Sequence, residues 1–227
     1  GAIKAVANLK RTESGAYYEG YNYAIGESTE PGSTFKLPAL MVALEDGYVD
    51  MGDIIDCGDG SRRYYDRTMY DSNHDKGGWG KITVQRVLEV SSNIGMAEII
   101  SRNYTENPQK FINGLAKMNL RKPLGIEIAG EGKPFIKNPD NETWSGISLA
   151  WMAHGYELQQ TPLQILTFYN AVANNGKMVK PKFVEKIARG RKVVEEVETE
   201  VINPRISSIE TINKVKKALE GVVSNGT

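Results

Sequence analysis

The chain has 227 residues, of which 40% are hydrophobic and 25% are charged, as is ordinary for a single globular domain. Its 28 basic and 28 acidic residues leave no net charge, so we expect no nucleic acid partner. The single cysteine, Cys57, cannot form an internal disulfide, and we expect it to be a small buried apolar residue. The two histidines have no cysteine partners, so we expect no metal site, and we expect each histidine to be exposed or hydrogen bonded.

The N-terminal part of the chain is predicted to consist of extended segments followed by a helix. Residues 2–9 predict a first strand, and the aromatic and polar residues 17–23 predict a second. An irregular approach then leads to Ser33-Thr34-Phe35-Lys36, which opens an apolar helical run. That helix is predicted to end near Asp46-Gly47, since glycine commonly follows the last helical residue.

Ser33 and Lys36 are three positions apart, so on a helix they lie on one face. A serine needs a base within hydrogen-bond reach to act as a nucleophile, and the lysine amine supplies one. Such a pair also occurs by chance, as a helix cap followed by a solvated lysine. Four apolar residues continue the same face as a buried stripe and direct the pair inward: Leu37, Leu40, Met41 and Leu44. Ser33 is therefore a candidate nucleophile at a helix start, where free N–H groups favour negative charge.

The remaining chain predicts one long loop, several helices and a hairpin. Residues 53–80 are rich in glycine, aspartate and asparagine with weak periodicity, which indicates an irregular wall of a functional site. Residues 182–187 and 192–202 predict the two arms of a hairpin. Helix starts with capping residues are predicted at Thr161-Pro162-Leu163-Gln164 and at Ser207-x-x-Glu210. Further helices are predicted over 81–90, from about 94, and over 108–118.

Ser91-Ser92-Asn93 lies at the junction between two predicted helices, where serine and asparagine are usually caps. One helix, the long loop and a second helix separate it from Ser33, so the chain can fold it back opposite the Ser33–Lys36 pair. There Ser91 is placed to relay a proton between Lys36 and a leaving amine. Asn93 is placed to hold Lys36 and to hydrogen bond a substrate amide.

These motifs resemble those of the transpeptidase domain of class B penicillin-binding proteins. Ser33-Thr34-Phe35-Lys36, within Glu30-Pro31-Gly32, is similar to the first family motif, and Ser91-Ser92-Asn93-Ile94-Gly95 is similar to the second. Gly155-Tyr156 and the Thr161 helix start resemble the helix that follows. The resemblance covers essentially all 227 residues and is closest to division-type transpeptidases of Bacteroides-like Gram-negative bacteria. It implies that Ser33, Lys36, Ser91 and Asn93 are the catalytic residues.

The resemblance implies an α/β (α+β) fold of the serine β-lactamase and penicillin-binding transpeptidase type. In that family a helical lobe packs against a five-stranded antiparallel sheet. We expect a single transpeptidase domain over residues 1–227, with a helical lobe over 31–181 and a partial sheet lobe from 1–30 and 182–227. Both ends of the chain fall within or beside predicted elements, so we expect a piece of a larger protein that stops before the third family motif, Lys-Thr-Gly.

The resemblance also implies a reaction and a cellular setting. Ser33 would attack the D-Ala-D-Ala carbonyl of a peptidoglycan stem peptide, a neutral Lys36 would take its proton, and β-lactam antibiotics would acylate Ser33. No metal or organic cofactor is implied. The setting is the periplasmic face of the inner membrane, with the anchor outside this chain, and the partners are a membrane glycosyltransferase and divisome proteins.

A missing third motif would remove one oxyanion hydrogen-bond donor, which is worth about 3 kcal/mol. We therefore expect the chain to be inactive or weakly acylated, with weak or no labelling of Ser33 by a fluorescent penicillin at low micromolar concentration.

Other functions stay open at this point. The run from Ser33 to Pro38 also resembles class D β-lactamases, which carry Ser-x-Val where this chain has Ser91-Ser92-Asn93. Class A β-lactamases use a loop glutamate, and Glu127 and Glu131 lie in a suitable stretch, but neither belongs to a Glu-x-x-Leu-Asn run. A non-catalytic binding or structural module is the remaining alternative, because the third motif is missing.

Overall fold

The computed structural model describes residues 1–226; Thr227, the last residue of the predicted domain, lies outside the described residues. The helices are α1 (Tyr23–Gly26), α2 (Lys36–Glu45), α3 (Val84–Glu89), α4 (Asn93–Tyr104), α5 (Pro108–Lys117), α6 (Ser148–Met152), α7 (Pro162–Ala173) and α8 (Ile209–Asn225), with 3-10 turns at Gly32–Phe35 and His74–Lys76. None of the helices in residues 1–226 is long and apolar enough to cross a membrane.

The strands are short, and over residues 1–226 they pair two by two, always antiparallel. In chain order they are β1 (Leu9–Arg11), β2 (Tyr17–Glu19), β3 (Ile54–Asp56), β4 (Ser61–Tyr64), β5 (Arg67–Tyr70), β6 (Lys81–Thr83), β7 (Phe135–Ile136), β8 (Leu158–Gln159), β9 (Met178–Val179), β10 (Lys186–Arg189), β11 (Lys192–Glu196) and β12 (Val201–Asn203). The pairs are β1–β2, β3–β6, β4–β5, β7–β8, β9–β12 and β10–β11.

Helix α2 lies at the centre of the core, with α4, α5 and α8 packed around it. All of its residues from Lys36 to Leu44 are buried. The sequence predicted burial on one face only, so the predicted stripe is too narrow. A helix that is apolar on every side is stable only when neighbours cover every side. The start of this helix is therefore held rigidly, which matters because the candidate nucleophile directly precedes it.

The predicted first strand over residues 2–9 is wrong for most of its length. Strand β1 begins at Leu9, and Ala2 makes only an isolated parallel bridge to Lys182. Residues 4–7 between them are exposed. A strand without a buried face has nothing to fix its register, so alternation alone overestimated this element.

The predicted irregular loop over residues 53–80 is ordered into strands. It contains β3 and the β4–β5 hairpin, in which Ser61 pairs with Tyr70. The hairpin is fastened to α4 because Tyr64 Oη donates to Glu98 Oε1 at 2.7 Å and Arg62 lies 2.9 Å from Glu98 Oε2. Long-range contacts to α4 fix this hairpin, so the local sequence pattern did not predict it.

The predicted C-terminal hairpin is correct only in its first part. Strand β10 pairs with β11, which ends at Glu196, whereas β12 pairs with β9 instead. The second arm predicted over 192–202 is therefore divided between two sheets. One backbone hydrogen bond next to the β9–β12 pair, from Lys180 N to Glu200 O at 2.9 Å, holds residue 200 beside β9 and away from β10.

One of the two predicted helix starts is confirmed and the other is wrong. At Thr161 the capping box is complete, since Thr161 Oγ1 accepts from Gln164 N at 3.1 Å and Gln164 Oε1 accepts from Thr161 N at 2.8 Å. Helix α8 instead starts after Ser208, and the carboxylate that completes its cap is Glu45 rather than Glu210. Glu45 accepts from Ser207 Oγ at 2.6 Å and from Ser208 N at 3.1 Å.

We predict that Glu45→Ala lowers the free energy of unfolding by about 1 kcal/mol, because the first turn of α8 loses its acceptor from α2. Urea denaturation measures this change. Glu13→Ala is the matched control, since the Glu13 carboxylate makes no hydrogen bond within residues 1–226. Equal stability of the two variants would show that the Glu45 cap contributes nothing.

Candidate active site

Ser33 and Lys36 lie at the two ends of one helical turn. Residues Gly32–Phe35 form a 3-10 turn that runs directly into α2, and the Lys36 N–H donates to the Ser33 carbonyl. In a 3-10 helix the side chains at positions i and i+3 eclipse, so the two side chains leave the helix along the same line. Ser33 is exposed, whereas Lys36 is only 1% exposed. The pair therefore combines an accessible hydroxyl with a buried amine.

The Lys36 amine contacts the second predicted motif with all of its protons. Its Nζ donates to the Ser91 carbonyl oxygen at 2.5 Å, to Ser91 Oγ at 2.9 Å and to Asn93 Oδ1 at 2.7 Å. A protonated lysine has three N–H donors, and these contacts use each of them. The structure thus brings Lys36, Ser91 and Asn93 together, with Ser33 on the same helical turn. Within residues 1–226 the Ser33 hydroxyl itself makes no hydrogen bond.

The turn that carries Ser91 has an unusual backbone conformation. Ser91 has φ 54°, a left-handed value that costs a residue other than glycine about 1–2 kcal/mol. The turn is fixed on one side by the end of α3, since Ser91 N donates to Leu88 O at 3.1 Å. On the other side Ser92 Oγ caps α4 by accepting from Gly95 N at 2.9 Å. This conformation directs both the carbonyl and the hydroxyl of Ser91 at Lys36.

Asn93 is held in one amide orientation by two different partners. Its Oδ1 accepts from Lys36, and its Nδ2 donates to the Tyr70 carbonyl at 2.9 Å. Tyr70 ends strand β5, so the hairpin that the sequence did not predict supports the candidate site directly. The next residue, Asp71, is 2% exposed and accepts hydrogen bonds from Ser92 and Asn93. Asp71 was not predicted as a site residue, because in sequence it is one of several aspartates in a polar loop.

Burial changes the acid–base behaviour of Lys36. Removal from water lowers the pKa of Lys36 and the charge of Asp71 raises it, and the net pKa is about 8. At pH 7 about one lysine in ten is then neutral, compared with far fewer at an ordinary pKa. A neutral amine is a base, so this lysine can accept a proton near neutral pH.

His154, at the end of α6, is also near this amine. Burial and the charge of Lys36 lower the pKa of His154 to about 4, so its ring is neutral near pH 7. Its Nε2 atom is buried and has no hydrogen-bond partner among residues 1–226. The expectation that each histidine is exposed or hydrogen bonded is therefore wrong for His154, although His74 Nδ1 does contact the Asp71 carbonyl.

Cys57 is fully buried, as expected. Burial raises the pKa of its thiol, which remains uncharged near pH 7. Within residues 1–226 there is no group of three or more His, Cys, Asp or Glu side chains arranged to hold a metal ion.

Two further segments, the loop after α6 and helix α7, hold the Ser33 turn. Gly32 N donates to the Gly155 carbonyl at 3.1 Å, and Tyr169 Oη donates to the Thr34 carbonyl at 2.9 Å. The contact at Gly155 is so close that a Cβ there would lie 2.0 Å from the Gly32 oxygen. The residue that precedes the candidate nucleophile is therefore packed directly against the end of α6.

In this site a serine at a helix start is paired with a buried lysine and with a Ser-x-Asn turn, as expected for a serine acyltransferase of the penicillin-binding type. The family model described as penicillin binding protein transpeptidase domain matches residues 1–227. The chain belongs to this family, and the expected α/β (α+β) fold class is confirmed.

Individual relatives agree with this assignment. The chain is 30% identical over 166 residues to peptidoglycan D,D-transpeptidase FtsI of Buchnera aphidicola, which covers 73% of this chain and 27% of the relative. Penicillin-binding protein 3 of Mycobacterium tuberculosis, complexed with aztreonam, is 28% identical with a TM-score of 0.73, covering 90% of this chain and 44% of that one. A D,D-transpeptidase domain from Eggerthella lenta reaches a TM-score of 0.80 at 22% identity, covering 91% of this chain and 51% of that one, which supports the fold alone.

The chain spans between 24% and 31% of the length of the curated relatives it matches. The relatives that carry the assignment belong to the class B penicillin-binding proteins, matched over their transpeptidase region. The finer likeness to proteins of Bacteroides-like bacteria stays a prediction.

We predict that Gly155→Ala destabilises the chain by more than Gly130→Ala. Both glycines have a left-handed φ, +89° and +91°, so both substitutions carry the same backbone cost of about 1–2 kcal/mol. Only at Gly155 does the new Cβ meet the Gly32 carbonyl, whereas at Gly130 nothing lies within 4 Å. Urea denaturation of both variants measures the difference, and equal losses would contradict close packing at the Ser33 turn.

Proposed function

We propose that this chain carries the acylation site of a division-type peptidoglycan D,D-transpeptidase. In this proposal Ser33 is the nucleophile, Lys36 the base, Ser91 the proton relay and Asn93 the residue that holds both the lysine and a substrate amide. The observation that carries the proposal is the set of contacts from Lys36 Nζ to Ser91 Oγ and Asn93 Oδ1, made one helical turn from an exposed serine.

The first step forms a covalent acyl-enzyme. Neutral Lys36 accepts the Ser33 hydroxyl proton while Ser33 Oγ attacks the carbonyl carbon of the penultimate D-Ala. Negative charge then develops on the carbonyl oxygen. N–H groups at the start of a helix have no intrahelical partner and favour such charge, and Ser33 lies at that position.

The second part of the reaction releases and replaces the leaving group. The ammonium of Lys36 donates to Ser91 Oγ at 2.9 Å, so the proton can pass through Ser91 to the departing D-Ala amine as the C–N bond breaks. An amine of a second stem peptide then attacks the Ser33 ester, and Ser33 regains its proton. The products are a cross-linked peptide and free D-Ala.

The proposed setting follows from the relatives. Peptidoglycan stem peptides are the proposed substrates, and β-lactams the proposed acylating inhibitors, supported by the aztreonam complex of the mycobacterial protein. We further propose a location on the periplasmic side of the inner membrane, with a membrane glycosyltransferase and divisome proteins as partners, supported by the likeness to FtsI. Residues 31–181 are proposed as the helical lobe, and 1–30 with 182–227 as part of the sheet lobe.

The β-lactamase alternative is not favoured. The family model and the curated relatives belong to transpeptidases, and the second motif is Ser91-Ser92-Asn93 rather than Ser-x-Val. Rapid turnover of a chromogenic cephalosporin by the chain would overturn this preference.

We predict that prolonged incubation with millimolar penicillin places one adduct per chain on Ser33. Mass spectrometry of peptides from the treated chain locates the adduct. In Ser33→Ala the adduct is lost, whereas in Ser72→Ala, which removes another exposed serine, it remains. An adduct that persists in Ser33→Ala, or that lies on another residue of the wild-type chain, would contradict the proposed nucleophile.

We predict that the rate of adduct formation rises with pH and levels off near pH 8. The neutral form of Lys36 is the base, its pKa is about 8, and below that value each pH unit removes about nine-tenths of the neutral form. Lys36→Arg keeps a cation in place but cannot lose its proton, so it lowers the rate by about 100-fold or more. A flat pH profile, or an active Lys36→Arg variant, would rule out Lys36 as the base.

A further inference from the structure

Asp71 lies at the end of the β4–β5 hairpin, and its backbone is fixed on both sides. Its N–H donates to the Gly60 carbonyl at 2.9 Å, and its own carbonyl accepts from His74 N at 3.2 Å. The side chain is 2% exposed, which is rare for an aspartate. A buried carboxylate needs several donors to offset its lost hydration.

The Asp71 carboxylate obtains those donors from the turn that holds Lys36. Its Oδ1 accepts from Asn93 N at 2.5 Å and from Ile94 N at 3.1 Å, and its Oδ2 accepts from Ser92 Oγ at 2.7 Å. These N–H groups belong to the first turn of α4, a twelve-residue helix whose start favours negative charge. The carboxylate thus ties the hairpin to the strained Ser91 conformation.

Asp71 and Lys36 contact different atoms of the same short turn. Lys36 Nζ bonds to Ser91 and to the Asn93 side chain, whereas Asp71 bonds to Ser92 and to the Asn93 backbone. Within residues 1–226 the two charges form no direct ion pair, yet the Asp71 charge acts on the lysine through this buried turn. A buried anion stabilises a nearby buried cation much more than it would in water.

We infer that Asp71 is a positioning residue of the candidate active site, whose carboxylate holds the Ser91–Asn93 turn against Lys36 and whose charge offsets the burial of the Lys36 ammonium. The inference deepens the proposed function, but it concerns the resting state of Lys36 and does not require that Ser33 reacts. Asp71 itself touches neither Ser33 nor Lys36 by hydrogen bonding, so it acts through the turn.

Two other titratable groups face this region from neighbouring elements. His154, at the end of α6, has a pKa of about 4 and is neutral where Lys36 titrates. Cys57, after β3, lies 3.5 Å from Ser92 Oγ, and burial raises its pKa, so it too is uncharged there. Around pH 8 Asp71 is therefore the charged group that acts on Lys36.

The test is an NMR titration of the Lys36 side chain in the full 227-residue chain. The protein is labelled with carbon-13 lysine, and the Lys36 signal is assigned by its loss in Lys36→Arg. In the wild type the midpoint is expected at about 8. In Asp71→Asn, which keeps the shape and loses the charge, the midpoint is expected to fall by roughly one pH unit.

Glu45→Gln is the matched control, because it also replaces a helix-capping carboxylate by an amide, but at the opposite end of α2. Its Lys36 midpoint is expected to equal that of the wild type. Ser92→Ala removes one hydrogen bond to Asp71 and keeps the charge, so it is expected to leave the midpoint close to that of the wild type. If Asp71 had a purely structural role, Asp71→Asn would lower the free energy of unfolding and leave the Lys36 midpoint unchanged.

An unchanged midpoint in folded Asp71→Asn, or in Asp71→Ser as a second neutral variant, would overturn the inference. An equal fall in Glu45→Gln would overturn it as well. A second wild-type sample, labelled with carbon-13 aspartate, gives a reading that needs no folded variant, because the Asp71 carboxyl carbon signal is expected to respond to the loss of the Lys36 charge with the Lys36 midpoint. Absence of that shift would contradict the coupling even if neither neutral variant folds.

Discussion

The burial of one ammonium group constrains the rest of this structure. Lys36 is 1% exposed, and a lysine can be buried only if its protons find acceptors. The acceptors here come from a single turn, through the carbonyl and hydroxyl of Ser91 and the amide oxygen of Asn93. Helices α2 and α4 must therefore meet at this point, and the chain between them must return across the core.

Two helices of this structure are positioned in the same way. A carboxylate from a distant segment caps the helix that needs positioning, as Asp71 does for α4 and Glu45 does for α8. Beside the lysine site, the Gly155 carbonyl accepts from Gly32 N and so fixes the residue before the candidate nucleophile. The backbone before Ser33 and the Lys36 amine are thus both held in place, whereas the exposed Ser33 hydroxyl makes no hydrogen bond within residues 1–226 and is free to meet a substrate.

Sequence patterns predicted the local part of the site and missed what depends on contacts between distant segments. The spacing of Ser33 and Lys36 is a property of one helical turn, so it could be predicted directly. The contact of Lys36 with Ser91 and Asn93 was expected because the chain can fold back at that point. The family resemblance supported it, since it implies that these residues share one site. Asp71 could not be singled out, because its partners lie more than twenty residues away and nearby aspartates have similar surroundings in sequence. The elements predicted best, such as the Thr161 helix start, are those whose contacts lie within one turn.

The proposed chemistry depends most directly on the protonation of Lys36, and neutron diffraction from crystals of the chain would observe it. At pH 6 we predict three deuterons on Nζ, directed at Ser91 O, Ser91 Oγ and Asn93 Oδ1. At pH 9.5, above a pKa of about 8, we predict two deuterons and a lone pair. Three deuterons at both pH values would contradict the claim that this buried lysine becomes a base in the range where the site is proposed to act.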